Sequence, residues 1–152
     1  MKRISLAAVL ILGLALVAGC GGAAKDMSVA EVSSRLLSEI SYQDELNSND
    51  LDTAGMFLNL EGIDITDAAV FETSGATAEE VVVMECATDA DAEKAEAMLK
   101  QRVEEQKQNY ADYVPEELTK LNAAVIVRSG KFAVLSVSDD PDTAKKILSE
   151  YK

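Results

Sequence analysis

The chain holds two thiols, Cys20 and Cys86, and neither histidine nor tryptophan. A cysteine nucleophile acts as its thiolate and needs a neighbouring base, usually His, or another device that lowers its pKa. Cys86 closes the apolar run Val81-Val82-Val83-Met84, and no His exists to activate it. It is therefore expected to be a small buried residue. A zinc site fails on the same count, because no His and one spare Cys cannot supply the usual ligands. The chain has no G-x-S-x-G, no P-loop and no G-x-G-x-x-G. A Ser-Lys dyad stays open on composition, but no motif singles one out. The expectation is no catalytic residue, no metal site and no cofactor.

Carboxylates are the other candidates. Asp50-Leu51-Asp52-Thr53-Ala54-Gly55 can be tested as a calcium loop. An EF-hand carries oxygen ligands at its first, third and fifth positions, Gly at the sixth and Glu at the twelfth. Counting from Asp50, the loop has Asp52, Gly55 and Glu61 in place, but Ala54 offers no side-chain oxygen at the fifth position. An acidic surface loop is the simpler reading, with weak calcium binding between Asp50 and Glu61 left open. Asp89, Asp91 and Glu93, and likewise Asp139, Asp140 and Asp142, each crowd a predicted helix start. Acids there satisfy free N–H groups and the helix dipole, so capping explains them better than metal binding does. Phe57, Phe71, Tyr110 and Tyr113 could line a ligand groove; covering the edge of the core is the expected role.

Cys20 has a different context. Met1-Lys2-Arg3 is basic, and Ile4 to Ala18 is an uncharged apolar stretch of 15 residues. A membrane-spanning helix needs about 20 such residues. The stretch therefore reads as a secretory signal peptide. It ends Leu16-Val17-Ala18-Gly19-Cys20, which resembles a bacterial lipoprotein lipobox. That resemblance implies cleavage between Gly19 and Cys20 and a diacylglyceryl group on the Cys20 thiol. One acyl chain anchors only marginally, at about 0.8 kcal/mol per buried CH₂; two chains hold firmly. Loss of Lys2 and Arg3 with the leader takes the formal charge from −13 to −15. So acidic a domain is a poor partner for nucleic acid, whose phosphates demand Lys and Arg, and for an anionic lipid surface. With Cys20 acylated, Cys86 has no partner for a disulfide, so the core alone must hold the fold.

The elements follow from periodicity and punctuation. Residues 20–27 form the lipidated terminus and a short Gly/Ala linker, and residues 28–152 a single globular domain. Ser28-Val29-Ala30-Glu31 is a capping box opening a helix to about Tyr42, with Val29, Val32, Leu36 and Ile40 on one face. Gln43 to Asp52 reads as loop, and Met56 to Leu60 is ambiguous. Asp67 to Thr73 and Glu80 to Cys86 read as strands, the second buried. A long helix follows from Thr88, Asp89 or Asp91 to about Tyr110, presenting Ala92, Ala95, Leu99 and Val103 to the core. Tyr113-Val114-Pro115 breaks it, and a short helix to Leu121 can follow. Ala123 to Arg128 and Lys131 to Ser138 form a hairpin about Ser129-Gly130. Asp140-Pro141 opens a last helix with Ala144, Ile147, Leu148 and Tyr151 inward. The order is α-ββα-ββα, with the two ββα units a possible duplication. It favours an α+β fold, an antiparallel four-stranded sheet with helices packed on one face.

Taken together, Glu79-Glu80-Val81-Val82-Val83-Met84, the Asp91-Ala92-Glu93 helix start, Tyr113-Val114-Pro115 and Ser129-Gly130-Lys131-Phe132 make Met56 to Lys152 resemble an uncharacterised clostridial-type lipoprotein family, classed as a domain of unknown function (DUF4358). The resemblance implies a lipoprotein with one domain, and brings no activity and no catalytic residue. The expected protein is a non-enzymatic binding or interaction module, lipid-anchored on the extracytoplasmic face of a bacterial membrane. Its partners would be the membrane, through the lipid, and an envelope protein. A small-ligand-binding lipoprotein of an envelope or transport system is the alternative, and an envelope enzyme stands third.

Overall fold

The computed structural model describes residues 25–151. The expected signal peptide, its expected cleavage point at Gly19 and the expected lipidation site Cys20 lie outside the described residues. No helix among the described residues is long and apolar enough to cross a membrane.

Among the described residues, five strands and five helices form a mixed α/β unit. In chain order they are α1 (Val29–Glu39), β1 (Asn47–Asn49), α2 (Leu51–Ala54), β2 (Ile65–Glu72), β3 (Glu80–Cys86), α3 (Asp89–Ala111), α4 (Leu118–Asn122), β4 (Val125–Ser129), β5 (Phe132–Val137) and α5 (Pro141–Leu148), with a 3₁₀ turn at Pro115–Glu117 before α4. All strands pair antiparallel in the order β1-β2-β3-β5-β4.

Two expectations are corrected. The sheet has five strands, because Asn47–Asn49, read as loop, pairs with Val70–Glu72 of β2. Helices also cover both faces. Val81, Val82, Val83 and Met84 of β3 are all fully buried. Successive strand residues point to opposite faces, so this unbroken apolar run demands cover on each side. Val81 and Val83 pack with Val32 and Leu36 of α1 and Ala144, Ile147 and Leu148 of α5. Val82 and Met84 pack with Ala95, Leu99 and Val103 of α3, Leu121 of α4 and Leu58. Each fully buried Val, Leu, Ile or Met among them contributes roughly 1.5–3 kcal/mol on burial. The sheet is thus the middle of three layers. α3 and α5, which close the two ββα units, lie on opposite faces of the sheet.

The local signals mostly act as read. Ser28 caps α1 by accepting from the N–H of Glu31 at 3.5 Å, but Glu31 then takes the Tyr151 hydroxyl at 2.9 Å. α1 stops at Glu39, short of Tyr42, because Ile40 is extended. The β4–β5 loop is Gly130-Lys131, one residue on from the expected turn, since Ser129 pairs with Phe132. Gly130 takes φ 52° there, a conformation that favours glycine. The linker also contributes more than expected: Lys25 bridges to Tyr151 and Met27 is buried.

Candidate functional site

Two consecutive carboxylates, Glu79 and Glu80, are each 1% exposed, and each is buried against a different cation. Glu79 lies just before β3. It accepts the backbone N–H of Gln43 at 2.9 Å and of Asp44 at 3.1 Å, and the Thr77 hydroxyl at 3.2 Å. Lys120, 3% exposed, places its ammonium 3.4 Å from Glu79 and 3.1 Å from Glu117. Glu117 also accepts the N–H of Ala78 at 2.8 Å. The cluster ties α4 to the α1–β1 connection and to the head of β3. Burying charge is costly unless it is paired and hydrogen-bonded, and these groups meet both conditions.

Glu80 faces α3. Arg102 reaches it with Nε at 3.2 Å and reaches Glu72, its cross-strand neighbour, at 3.3 Å. The guanidinium also lies 4.8 Å from the Phe57 ring centre, a favourable cation–π arrangement. Burial pushes the Glu80 carboxyl above its ordinary range, with Arg102 pulling the other way, and Glu72 is raised for the same reason.

The C-terminal end of α3 builds an open groove beside these charges. Tyr110 is buried, and its one hydroxyl proton is shared between the carbonyls of Thr77 at 2.6 Å and Gly75 at 3.1 Å. Burial raises its pKa, so the hydroxyl stays a donor. Gly75 holds φ 96° at the tip of the β2–β3 turn. Tyr113 lies one turn past Tyr110 and is 72% exposed. With Gln106 and Asn109, these residues line a groove of about 220 Å³. A second shallow groove of about 300 Å³ runs between Asn59–Ile63 and α3, past Lys94, Met98 and Gln101. Lys94 is already engaged there by Asp91 at 2.7 Å and by the Gly62 carbonyl at 2.9 Å.

The residues singled out from sequence fall into separate places. Cys86 is 1% exposed in the α3-side core. Burial raises its thiol pKa, and Asp91, Asp64 and Glu85 add to the rise. That is the reverse of what a nucleophile needs. Asp50 caps α2, accepting from the Thr53 N–H at 2.8 Å, and Glu61 takes no part in a cluster with it. Among the described residues no three Asp, Glu or Cys side chains come together as a metal-ligand set. Thr88 caps α3, and Asp91 accepts the Thr88 hydroxyl at 2.7 Å. Asp140 caps α5 through the Thr143 N–H at 3.0 Å. Asp139 instead approaches Gln43 and Lys120. Of the four aromatics, only Tyr110 and Tyr113 share a groove; Phe57 lies under Arg102 and Phe71 packs on the α1/α5 face.

Glu79, Glu117, Lys120, Glu72, Arg102, Gln106 and Asn109 were not singled out. Charged residues default to the surface, and their meeting depends on contacts distant in sequence. One signal existed for Glu79 and Glu80, which abut a run too apolar to be exposed. Another existed for Lys120, which follows Glu117 by three residues and precedes Leu121 on the inward side of a short helix.

Residues 38–138 match the family described as Domain of unknown function (DUF4358), and the chain belongs to that family. No curated protein and no solved structure matches the chain.

Proposed function

We propose that this chain is a lipid-anchored extracytoplasmic protein that works as a non-enzymatic binding module, with the α3 side of its sheet as the working surface. The observation that carries this reading is the sequence Leu16-Val17-Ala18-Gly19-Cys20, placed five residues before the first strand-like bridge at Lys25. A chain spans at most about 3.6 Å per residue, so the segment from Cys20 to Lys25 reaches about 18 Å at most. The domain would therefore sit close to the bilayer.

The point of entry supports an orientation. Lys25 donates its N–H to the Glu150 carbonyl at 3.0 Å, and Met27 and Tyr151 both belong to the α1/α5-side core. A tether entering through that layer leaves α3, across the sheet, turned toward the outside. A non-enzymatic role is supported by the positive duties of the reactive groups: a buried high-pKa thiol, capping acids and ion-paired carboxylates. The second reading, a small-ligand binder, is favoured by the groove beside Tyr113.

Metabolic labelling with an alkyne fatty acid tests the anchor. The wild-type chain should carry label and fractionate with membranes, and Cys20→Ser should lose the label and mislocalise. Undiminished labelling of Cys20→Ser would sink the reading.

A further inference from the structure

We infer that the groove formed by Gly75, Gln106, Asn109, Tyr110 and Tyr113 is a subsite for a neutral sugar ring of an oligosaccharide. The inference rests on the binding-module reading above and names the ligand class of that surface.

Four observations converge on it. Tyr113 is one of three exposed large hydrophobic residues among the described ones, the others being Leu51 and Met56. An exposed aromatic ring offers a flat apolar face with a polar tip, which matches the C–H face of a pyranose ring and its flanking hydroxyls. Gln106 and Asn109 also line the groove; Gln106 Nε2 donates one N–H to Glu80 at 3.5 Å, which leaves its other N–H, its carbonyl oxygen and the Asn109 amide to meet a ligand. Each amide carries donors and an acceptor, as a sugar hydroxyl does. The lining contains no charged side chain, although the chain as a whole carries −13. An anionic ligand would meet a repelling field there, and a cationic one would find no counter-charge in the groove itself. Finally, the groove is shallow and measures about 220 Å³. Pockets for drug-sized molecules run about 300–1,000 Å³, and a stable protein interface takes about 800 Å² per partner. The space suits one ring of a longer chain that continues past it.

The wall is also set in advance. Tyr110 is fixed by a bifurcated hydrogen bond to the β2–β3 turn, and the Thr73 hydroxyl donates to the same Thr77 carbonyl at 2.6 Å. Gly75 brings bare backbone to the groove at φ 96°, a conformation that side-chain-bearing residues rarely adopt. A preorganised platform spends little binding energy on ordering itself. The Asn59–Ile63 groove lacks this neutrality, since Glu61 and Lys94 line it.

The test uses the full chain purified in a detergent without a sugar headgroup. The probes are the β-1,4-linked tetramer of N-acetylglucosamine, cellotetraose, polygalacturonate and a lysine-rich peptide. With no tryptophan and four tyrosines, intrinsic fluorescence reports tyrosine surroundings directly. A saturable response to at least one neutral tetramer is expected, and none to the anionic polymer. Tyr113→Ala should weaken that binding about tenfold, equivalent to about 1.4 kcal/mol, with an unchanged urea midpoint. Tyr113→Phe should keep it, and Asn109→Ala should weaken it without unfolding the chain. The inference is overturned by no response to either neutral tetramer, by equal binding in Tyr113→Ala, or by Tyr113-dependent binding of the peptide instead. Acyl labelling at Cys20 does not depend on the groove, so its outcome separates failure of this inference from failure of the anchor.

Discussion

The two faces of the sheet are held by different physics. On the α1/α5 face, β3 presents Val81 and Val83 to a core of aliphatic side chains with Tyr151 at its edge. Its ion pairs sit at the rim, where Arg35 joins Glu39 at 2.6 Å and Glu150 at 2.8 Å in partial contact with solvent. On the α3 face the same strand presents Val82 and Met84, but also Glu80 against Arg102, and at the head of β3 the buried Glu79–Lys120–Glu117 cluster joins α4 to the connection that follows α1. An apolar core forgives: hydrophobic groups of the right size exchange at modest cost. Buried charges do not, because removing one partner leaves the other dehydrated and unpaired. The first face takes in the N-terminal segment at Lys25 and Met27; the second fixes the turns and helix ends that shape the groove.

The sharpest way to break that contrast is to remove one charge and, separately, one aliphatic side chain. Lys120→Met should lower unfolding free energy by about 3–5 kcal/mol, since Glu79 and Glu117 stay buried without their cation. The triple variant Glu79→Gln, Glu117→Gln, Lys120→Met should recover much of that loss. Leu36→Ala on the other face should cost about 2–5 kcal/mol by leaving a cavity, and no change at Val29 or Ile40 should rescue it through charge. Urea unfolding monitored by circular dichroism measures all three. Equal loss in the Lys120 single and triple variants would show that packing, and not charge, holds the cluster.

A smaller effect sharpens the comparison through pH. Glu80 is raised by burial above its ordinary value of about 4.5, so the native state binds that proton more tightly than the unfolded chain. Acidification from neutral pH through the raised folded pKa toward 4.5 therefore favours the native state at this site. Glu39 and Glu150 are held low by Arg35. Their contribution has the opposite sign: it is present above about 4.5 and is lost as pH falls through their depressed folded pKa. The stability of wild type relative to Glu80→Gln should rise as pH falls over the first window. A difference that is flat, or that falls, would remove the buried-charge account of Glu80.

The contrast also explains what was legible in the sequence. Ser28, Thr88 and Asp140 announce their helices because a cap is a local device that spans three residues. The run Val81 to Met84 announces a buried strand, and its lack of alternation already argues for cover on both faces. Element order alone favours helices on one face, and the run overrides it. β1 was not legible because Asn47-Ser48-Asn49 has no strand propensity of its own; it is a strand only because β2 offers Val70–Glu72 to pair with. The charge clusters were hidden for a related reason. Lys120 and Arg102 look like solvated helix residues until the fold brings Glu79 and Glu80 beneath them. In the groove, the Tyr110–Tyr113 pair can be read from spacing, whereas the Gln106 amide gains meaning only once Glu80 lies within reach of it, and the Asn109 amide only beside an exposed ring.

The most direct measurement of the central proposal uses the chain's own scarcity of thiols. With Cys86 buried and, on the proposed anchor, Cys20 acylated, the wild-type protein should expose no reactive thiol. Asn109→Cys at the groove and Lys146→Cys on α5 each add one, at positions exposed to solvent. Intact cells are treated with a bulky, membrane-impermeant maleimide. A lipid-anchored extracytoplasmic domain with its α3 side outward predicts fast labelling of Asn109→Cys, slower labelling of Lys146→Cys and none of wild type. Labelling of neither variant until the cells are permeabilised would contradict the account.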